Sequence, residues 1–261
     1  MRYLSLFSGI EACSVAWEPL GWTPVAFAEF DDFPKAVLKY HWPDVPDLDD
    51  VTKITEEQIK ALGPIDLVVG GSPCQDLSVA GKRAGLRNAD GSLTRSGLFD
   101  HQMRIFEIAR RCNNARFMLW ENVPGSLSSN EGRDLAYIFG SMVQGEVSVP
   151  RDGWGTGGVI VSATGDRLVE WRVLDSQYSG VPGPVPQRRR RLFALLDTGA
   201  WWSRPPILFE SEGLPGNPFK SGTAPQGATG SPTDGTDPDR RGWFDHIIRT
   251  SVPKGDEDDD E

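Results

Sequence analysis

A chain of 261 residues with 38% hydrophobic content has material for one sizeable core, or for one domain and a smaller appendage. It holds no run of about 18 apolar residues and no secretory pattern, which argues against a membrane span or export and for a cytoplasmic protein. The net charge of −10 disfavours a nucleic-acid binder on average, but residues 256–261 are an unbroken acidic run, and a local basic patch elsewhere is able to bind phosphate. Cys13, Cys74 and Cys112 are odd in number and far apart in sequence. They fit a reducing compartment, with no structural zinc and no other metal.

In chain order, residues 2–6 read as a first strand. Phe7-Ser8-Gly9-Ile10-Glu11 follows, then a helical pattern over residues 12–20 on which Val15, Ala16 and Leu20 share a face. Gly21 closes that helix, because glycine takes the left-handed position after a helix without strain. Strand, glycine turn and helix make the first half of a nucleotide-binding βαβ unit. The three-glycine dinucleotide fingerprint is absent, so NAD is not indicated. Residues 23–28 form the next strand, ending at Glu29, a carboxylate placed to accept hydrogen bonds from ribose hydroxyls. Asp31 and Asp32 cap a helix over 33–40. An acidic loop at 47–50 and a helix over 56–62, stopped by Gly63-Pro64, come next.

Residues 66–69 read as a short buried strand running into Gly70-Gly71-Ser72-Pro73-Cys74-Gln75. Open α/β sheets present their chemistry at the carboxyl ends of strands. The glycines admit close approach and Pro73 fixes φ just before the thiol, a placement that suits a nucleophile. Residues 77–97 form a long loop made basic by Lys82, Arg83, Arg87 and Arg95, which fits a lid that meets phosphate or an ordinary solvated loop. Leu98 opens an amphipathic helix over 98–111. Residues 117–120 are a second buried strand, ending at Glu121-Asn122-Val123. Adjacent parallel strands would put Glu121 and Cys74 on one rim, the pairing wanted for a thiolate and a nearby acid.

A helix over 133–144, a glycine-rich loop over 149–158, a short strand over 159–163 and a half-buried strand over 170–178 follow. Gln187-Arg188-Arg189-Arg190-Arg191 leads into a last strand, 192–196. Strand alternation turns Arg189 and Arg191 toward the site, and Arg188 and Arg190 away. The chain thus divides into a catalytic domain over 1–198 and a Gly/Pro-rich, largely irregular segment over 199–261 with an acidic tail. Within that segment residues 243–248 read as a short helix or a docking patch.

In order, over roughly residues 2–197, these motifs resemble the DNA (cytosine-5)-methyltransferases. Phe7-Ser8-Gly9 matches the family's cofactor loop. Glu29-Phe30 matches its acidic ribose contact and the aromatic that lies on the adenine, and Asp50-Val51 its adenine contact. Pro73-Cys74-Gln75 matches the catalytic Pro-Cys motif, Glu121-Asn122-Val123 the Glu-Asn-Val motif, and residues 187–191 the Gln-x-Arg-x-Arg motif. The resemblance implies an α/β, Rossmann-like S-adenosylmethionine-dependent methyltransferase fold with a mainly parallel, doubly wound sheet. It implies S-adenosylmethionine as donor and a cytosine flipped out of DNA as acceptor. Cys74 would attack C6. Glu121, protonated or sharing a proton, would hold N3 and the exocyclic amine, and Arg189 and Arg191 the base carbonyl and phosphate. Pro73 and Leu98 join the cofactor residues Phe7, Ser8, Gly9, Glu29, Phe30, Asp50 and Val51.

Three departures carry expectations. Glu11 stands where many members have glycine, and a carboxylate there calls for a cationic neighbour. A small insertion over 181–186 threatens to misplace Arg189 and Arg191. The family's target-recognition domain and its returning Gly-Asn motif have no convincing counterpart, Gly216-Asn217 being followed by Pro218. The chain is then expected to be an active methyltransferase, with weak sequence preference or helped by a second polypeptide that supplies target recognition; the alternative is a catalytically silent binding module. An enzyme of free nucleotides, which also uses cysteine attack at C6, is disfavoured by the ordered match to the DNA enzymes.

Overall fold

The computed structural model describes residues 1–72, 98–178 and 186–209, and the backbone of 247–249. Among the described residues eight strands make one sheet: β1 (Arg2–Leu6), β2 (Thr23–Ala28), β3 (Leu67–Gly70), β4 (Phe117–Asn122), β5 (Gly157–Val161), β6 (Leu168–Asp175), β7 (Arg190–Asp197) and β8 (Ile247–Arg249). Their spatial order is β2-β1-β3-β4-β7-β6-β5-β8. The helices described are α1 (Ala12–Trp17), α2 (Asp32–His41), α3 (Glu56–Ala61), α4 (Phe99–Asn113) and α5 (Arg133–Val143).

The N-terminal half is parallel: β1 pairs with β2 on one side and β3 on the other, and β3 with β4. From β4 onward direction alternates, with β7 antiparallel to both β4 and β6, and β6 antiparallel to β5. The mainly parallel sheet expected from the sequence is present in mixed form: β2, β1, β3 and β4 pair in parallel, as do β5 and β8, around an antiparallel block of β4, β7, β6 and β5. The reason is local. β5 and β6 are joined by a tight turn, with Gly165 at φ 75° and its N–H on the Ser162 carbonyl, and a short turn returns the chain without a helical crossover. Ile247–Arg249 pairs in parallel with β5, so these residues are a strand, not the short helix that was one expectation.

Alternation along the strands divides the core. Leu4, Leu6, Val68, Met118 and Trp120 face Phe99, Phe106 and Phe139 in the main cluster, while Tyr3, Leu67 and Val69 face Trp17 and Trp22. Each large apolar side chain so buried contributes roughly 1.5–3 kcal/mol. The helix expected over 12–20 is six-residue α1 followed by a 3₁₀ turn at Glu18–Leu20, ended by Gly21 at φ 75°. Pro19 has no N–H to continue the α-helical ladder. The expected apolar face is not buried: Val15 and Leu20 are 68% and 66% exposed, and Ser14 is turned inward instead. Residues beyond β7 also pack on the sheet. Arg204 bonds Asp197 and Glu170, and the N–H groups of Ile207 and Leu208 bond Glu170.

Candidate active site

The turn after β1 carries three residues in the left-handed region, Phe7 (φ 54°), Gly9 (φ 55°) and Glu11 (φ 64°). Such a backbone costs a non-glycine residue about 1–3 kcal/mol, so its surroundings must hold it. Ser8 is stitched to the end of β2: its N–H donates to the Ala28 carbonyl at 3.2 Å, and its Oγ accepts from the Ala28 N–H at 3.3 Å. The Gly9 N–H donates to Glu29 Oε2 at 2.7 Å, while Glu29 Oε1 accepts from the N–H groups of Phe30 and Asp31. Glu29 thus brackets the turn and retains lone pairs for a ligand hydroxyl.

Glu11 is 1% exposed. Its Oε2 accepts from Ser5 Oγ at 2.7 Å, and its Oε1 from the Ser14 N–H at 3.1 Å and Ser14 Oγ at 3.3 Å. Burial pushes its carboxyl above the ordinary value, against the downward pull of these bonds. The cationic neighbour expected from the sequence is thus replaced by two hydroxyls and an N–H. Cys13 lies close by. Burial, with Glu11 and Glu121 adding to it, pushes its thiol up to about 12, which makes it a poor nucleophile.

On the next rim, β3 and β4 run side by side with Gly70 opposite Trp120. A Cβ on Gly71 would lie 3.0 Å from Glu121 Oε2, and one on Gly70 would lie 2.9 Å from Gln102 Oε1. The two glycines therefore admit both side chains to the backbone. Buried Gln102 ties the strand ends together, its Nε2 donating to the carbonyls of Leu119 and Gly70 at 3.2 and 3.4 Å. Ser72 is anchored by Trp120 Nε1 on its Oγ at 3.0 Å and Asn122 Nδ2 on its carbonyl at 3.4 Å. Pro73, Cys74 and the basic loop at 77–97 lie outside the described residues, as does most of the insertion, 181–185.

Glu121 Oε1 pairs with Arg191 Nε at 2.8 Å. The arginine segment is gripped from β6: Asp175 Oδ1 accepts the Arg189 N–H at 3.1 Å, the Ser176 N–H donates to the Arg189 carbonyl, and Ser176 Oγ donates to the Gln187 carbonyl. Arg188 is drawn the other way, to Gln177. The misplacement expected from the insertion is not observed, because Arg189 and Arg191 both line the same cavity as Glu121.

That cavity has a volume of about 600 Å³ and is walled by Ser5, Phe7, Ser8, Gly70, Gly71, Glu121, Ser176, Arg189, Arg191 and Phe193, among others. It sits at the carboxyl ends of β1, β3 and β4, where the chain switches from one side of β1 to the other, the place where open α/β sheets take ligands. Gly9 and Glu29 adjoin it through their hydrogen bond. Phe30 is 73% exposed at the end of β2. Asp50 and Val51 lie in a turn on the β2 side, outside the cavity wall. Hydrogen bonds from the Thr52 N–H and hydroxyl hold the Asp50 carboxyl below its usual range, and the buried Val51 presents its carbonyl to Arg104. Leu98 caps α4 and is half-buried. Sequence reading missed Ser5, Ser72, Asp175 and Ser176, whose only signal is nearness to a strand end, and Gln102, a polar residue turned inward from α4. Among the described residues no group of His, Cys, Asp and Glu is arranged to hold a metal, and no helix is long and apolar enough to cross a membrane.

The family model described as C-5 cytosine-specific DNA methylase matches residues 1–197. The chain is 35% identical over 243 residues to the DNA N-6-adenine-methyltransferase of Escherichia phage P1, covering 81% of this chain and 30% of that protein. It is 39% identical over 138 residues to the type II methyltransferase M2.BsuMI of Bacillus subtilis (strain 168), covering 53% and 33%. The chain thus spans about a third of the length of these relatives. The solved structure of DNMT2 from Spodoptera frugiperda superposes with a TM-score of 0.53 at 21% identity, over 77% of this chain and 50% of that one, a likeness of fold.

Proposed function

The chain belongs to the C-5 cytosine-specific DNA methylase family and has its Rossmann-like methyltransferase fold, and on that premise we propose that it methylates C5 of cytosine in DNA. The observation that carries the reading is the Glu121–Arg191 pair at 2.8 Å on the Gly70-Gly71 rim, in one cavity with the Phe7-Ser8 turn.

The residues present fit S-adenosylmethionine. The cavity has the size of a small-molecule site, Gly70 and Gly71 leave their rim without Cβ atoms, and Glu29 keeps acceptor capacity beside the turn. Phe7, Ser8, Gly9 and Glu29, with Phe30, Asp50, Val51, Pro73 and Leu98, would hold it. When bound it supplies an electrophilic methyl group. Cytosine C5 is a weak nucleophile, and the Cys74 thiolate raises its reactivity by bonding to C6 and pushing the ring π electrons onto C5. Glu121 hydrogen-bonds N3 and the exocyclic amine, stabilising the charge that builds on the ring, while Arg191 keeps Glu121 aimed. Loss of the C5 proton to a base returns electrons to the C5–C6 bond, and the carbon–sulfur bond breaks. A stacked cytosine cannot enter a cavity of this kind, so the base is flipped out or single-stranded.

A second reading, that the chain needs a partner polypeptide for target recognition, is supported by Ile10, Val15 and Leu20. These large apolar side chains are 60%, 68% and 66% exposed within one stretch beside the turn. Clustered exposed apolar residues mark interaction surfaces.

The test is transfer of labelled methyl from S-adenosylmethionine to mixed-sequence DNA, with Cys74→Ala alongside, followed by base analysis. Label in 5-methylcytosine, lost in the variant, is expected. Label in N6-methyladenine would overturn the reading, as would cytosine label that survives Cys74→Ala. Transfer that appears only on adding a second polypeptide supports the partner reading.

A further inference from the structure

We infer that Glu11 is a positioning residue: a buried carboxylate that locks the turn at residues 7–10 in the conformation that binds the cofactor. The inference rests on reading that turn as the cofactor loop. Glu11 reaches both ends of the turn. Oε2 takes the Ser5 hydroxyl from β1, and Oε1 takes the N–H and hydroxyl of Ser14 from α1. Its own N–H closes the turn on the Ser8 carbonyl at 2.9 Å. Ser14 Oγ is in turn bonded to Tyr3 OH at 2.6 Å, so the network runs Tyr3–Ser14–Glu11–Ser5, and all four residues are at most 3% exposed.

This residue is a costly choice for folding twice over. It holds a left-handed backbone, φ 64°, where glycine would be unstrained, and it buries an acid with no cation among its hydrogen-bonding partners. Capping a six-residue helix returns less than these two costs together. Stability alone therefore does not account for it, and the local gain is definition of the turn. Phe7, the non-glycine at φ 54° on the cavity wall, lies between the two anchors. Ser5 is also on that wall. With its proton donated to Glu11, the Ser5 hydroxyl has only acceptor capacity left, which suits a ligand that presents N–H or ammonium donors.

The experiment is binding of S-adenosylhomocysteine to the full chain by titration calorimetry, paired with the melting temperature of the ligand-free protein. Glu11→Gly relieves the backbone strain and removes the buried side chain with its carboxylate. It is expected to weaken binding roughly tenfold, the loss of one charge-assisted hydrogen-bonding centre, without lowering the melting temperature in proportion. Glu11→Gln keeps an acceptor for Ser14 and a partner for Ser5, and is expected to bind within about twofold of the unaltered chain. In turnover, Glu11→Gly raises KM for the cofactor and leaves kcat and KM for DNA in place. Binding by Glu11→Gly equal to that of the unaltered chain overturns the inference while the cofactor reading stands. So does a loss that only tracks unfolding, with the folded fraction binding normally. Absence of binding by the unaltered chain overturns the cofactor reading and this inference together. If Glu11→Gly does not fold, Ser14→Ala decides, because Ser14 Oγ bonds Glu11 and Ser14 does not line the cavity: weaker binding supports the lock, and unchanged binding overturns it.

Discussion

The two halves of the sheet solve different problems. In the parallel half, polar groups gather at strand ends and hold backbone in unusual shapes: Glu29 and Glu11 secure the turn after β1, and Gln102 and Ser72 secure the rim of β3 and β4. In the antiparallel half, charge is buried to brace the fold. Asp197, with no exposed side-chain surface, accepts from Arg116 Nε and Nη2, Arg204 Nε and the Gly199 N–H, and Arg204 also bonds the equally buried Glu170. Asp197 pairs with Phe117 at the start of β4, at the far end of the strands from the cavity. Damage to the first half should fall on chemistry and binding, and damage to the second on stability.

The largest expected effect sharpens that division. Glu121→Ala removes the acid from the rim and should lower kcat by about 10²–10⁴-fold, the usual contribution of a general acid or base. Cofactor affinity and the unfolding midpoint should stay in place, and a matching fall in stability would blur the comparison. Asp197→Ala is its counterpart. It leaves Arg116 and Arg204 without their buried partner and should cost about 3–5 kcal/mol in denaturant unfolding, with the cofactor affinity of the folded fraction unchanged. Burial raises the Asp197 carboxyl, but the bonds from Arg116, Gly199 and Arg204 outweigh it and hold the group below its ordinary range. A depressed carboxyl contributes stability that is present above its unfolded value, about 3.9, and lost as pH falls through the folded value. Acid unfolding of the unaltered chain should show this loss below about pH 4, and Asp197→Asn should flatten it. A smaller effect is expected from Gly71→Ala. Its Cβ would meet Glu121 Oε2 at 3.0 Å, and a carboxylate pushed off line should lower kcat about tenfold.

The same contrast explains what was legible in the sequence. β2 to β4 announce themselves as short apolar runs that run into glycine or a carboxylate, β1 as one that runs into the Phe7-Ser8-Gly9 turn, and the rim shared by β3 and β4 follows from their parallel pairing. β6 reads as half-buried because Glu170 and Arg172 look like solvent-facing positions. Both are buried, since Glu170 meets Arg204 and Arg172 donates to the Leu208 carbonyl, partners more than thirty residues away. The misread face of α1 has a similar origin: Val15 is apolar, but Glu11 and Tyr3 draw Ser14 inward. Alternation separates Arg189 from Arg188 in sequence, whereas the grip on that segment comes from Asp175 and Ser176 across an antiparallel pair, which local pattern does not encode.

That grip supplies the finest test, because it lies where the two halves meet. Asp175 belongs to the antiparallel half by strand and to the site by consequence. Its Oδ1 accepts the Arg189 N–H at 3.1 Å and the Gln177 N–H at 3.2 Å, and its Oδ2 accepts from Gln177 Nε2 at 2.9 Å. Asp175→Ala frees the backbone N–H groups of Arg189 and Gln177 and the Gln177 side-chain amide at a partly solvated strand end, and each bond lost costs about 0.5–1.5 kcal/mol, the net value of an ordinary hydrogen bond. If Asp175 only braces the sheet, that loss appears in denaturant unfolding and kinetics stay level. If it places the arginines, the variant raises KM for DNA by about three- to tenfold, and stability moves by less than that free energy. Asp175→Asn retains a side-chain oxygen for Arg189 and should recover most of the affinity. Failure of this rescue, with KM still raised, would assign the effect to the lost charge rather than to the position of Arg189.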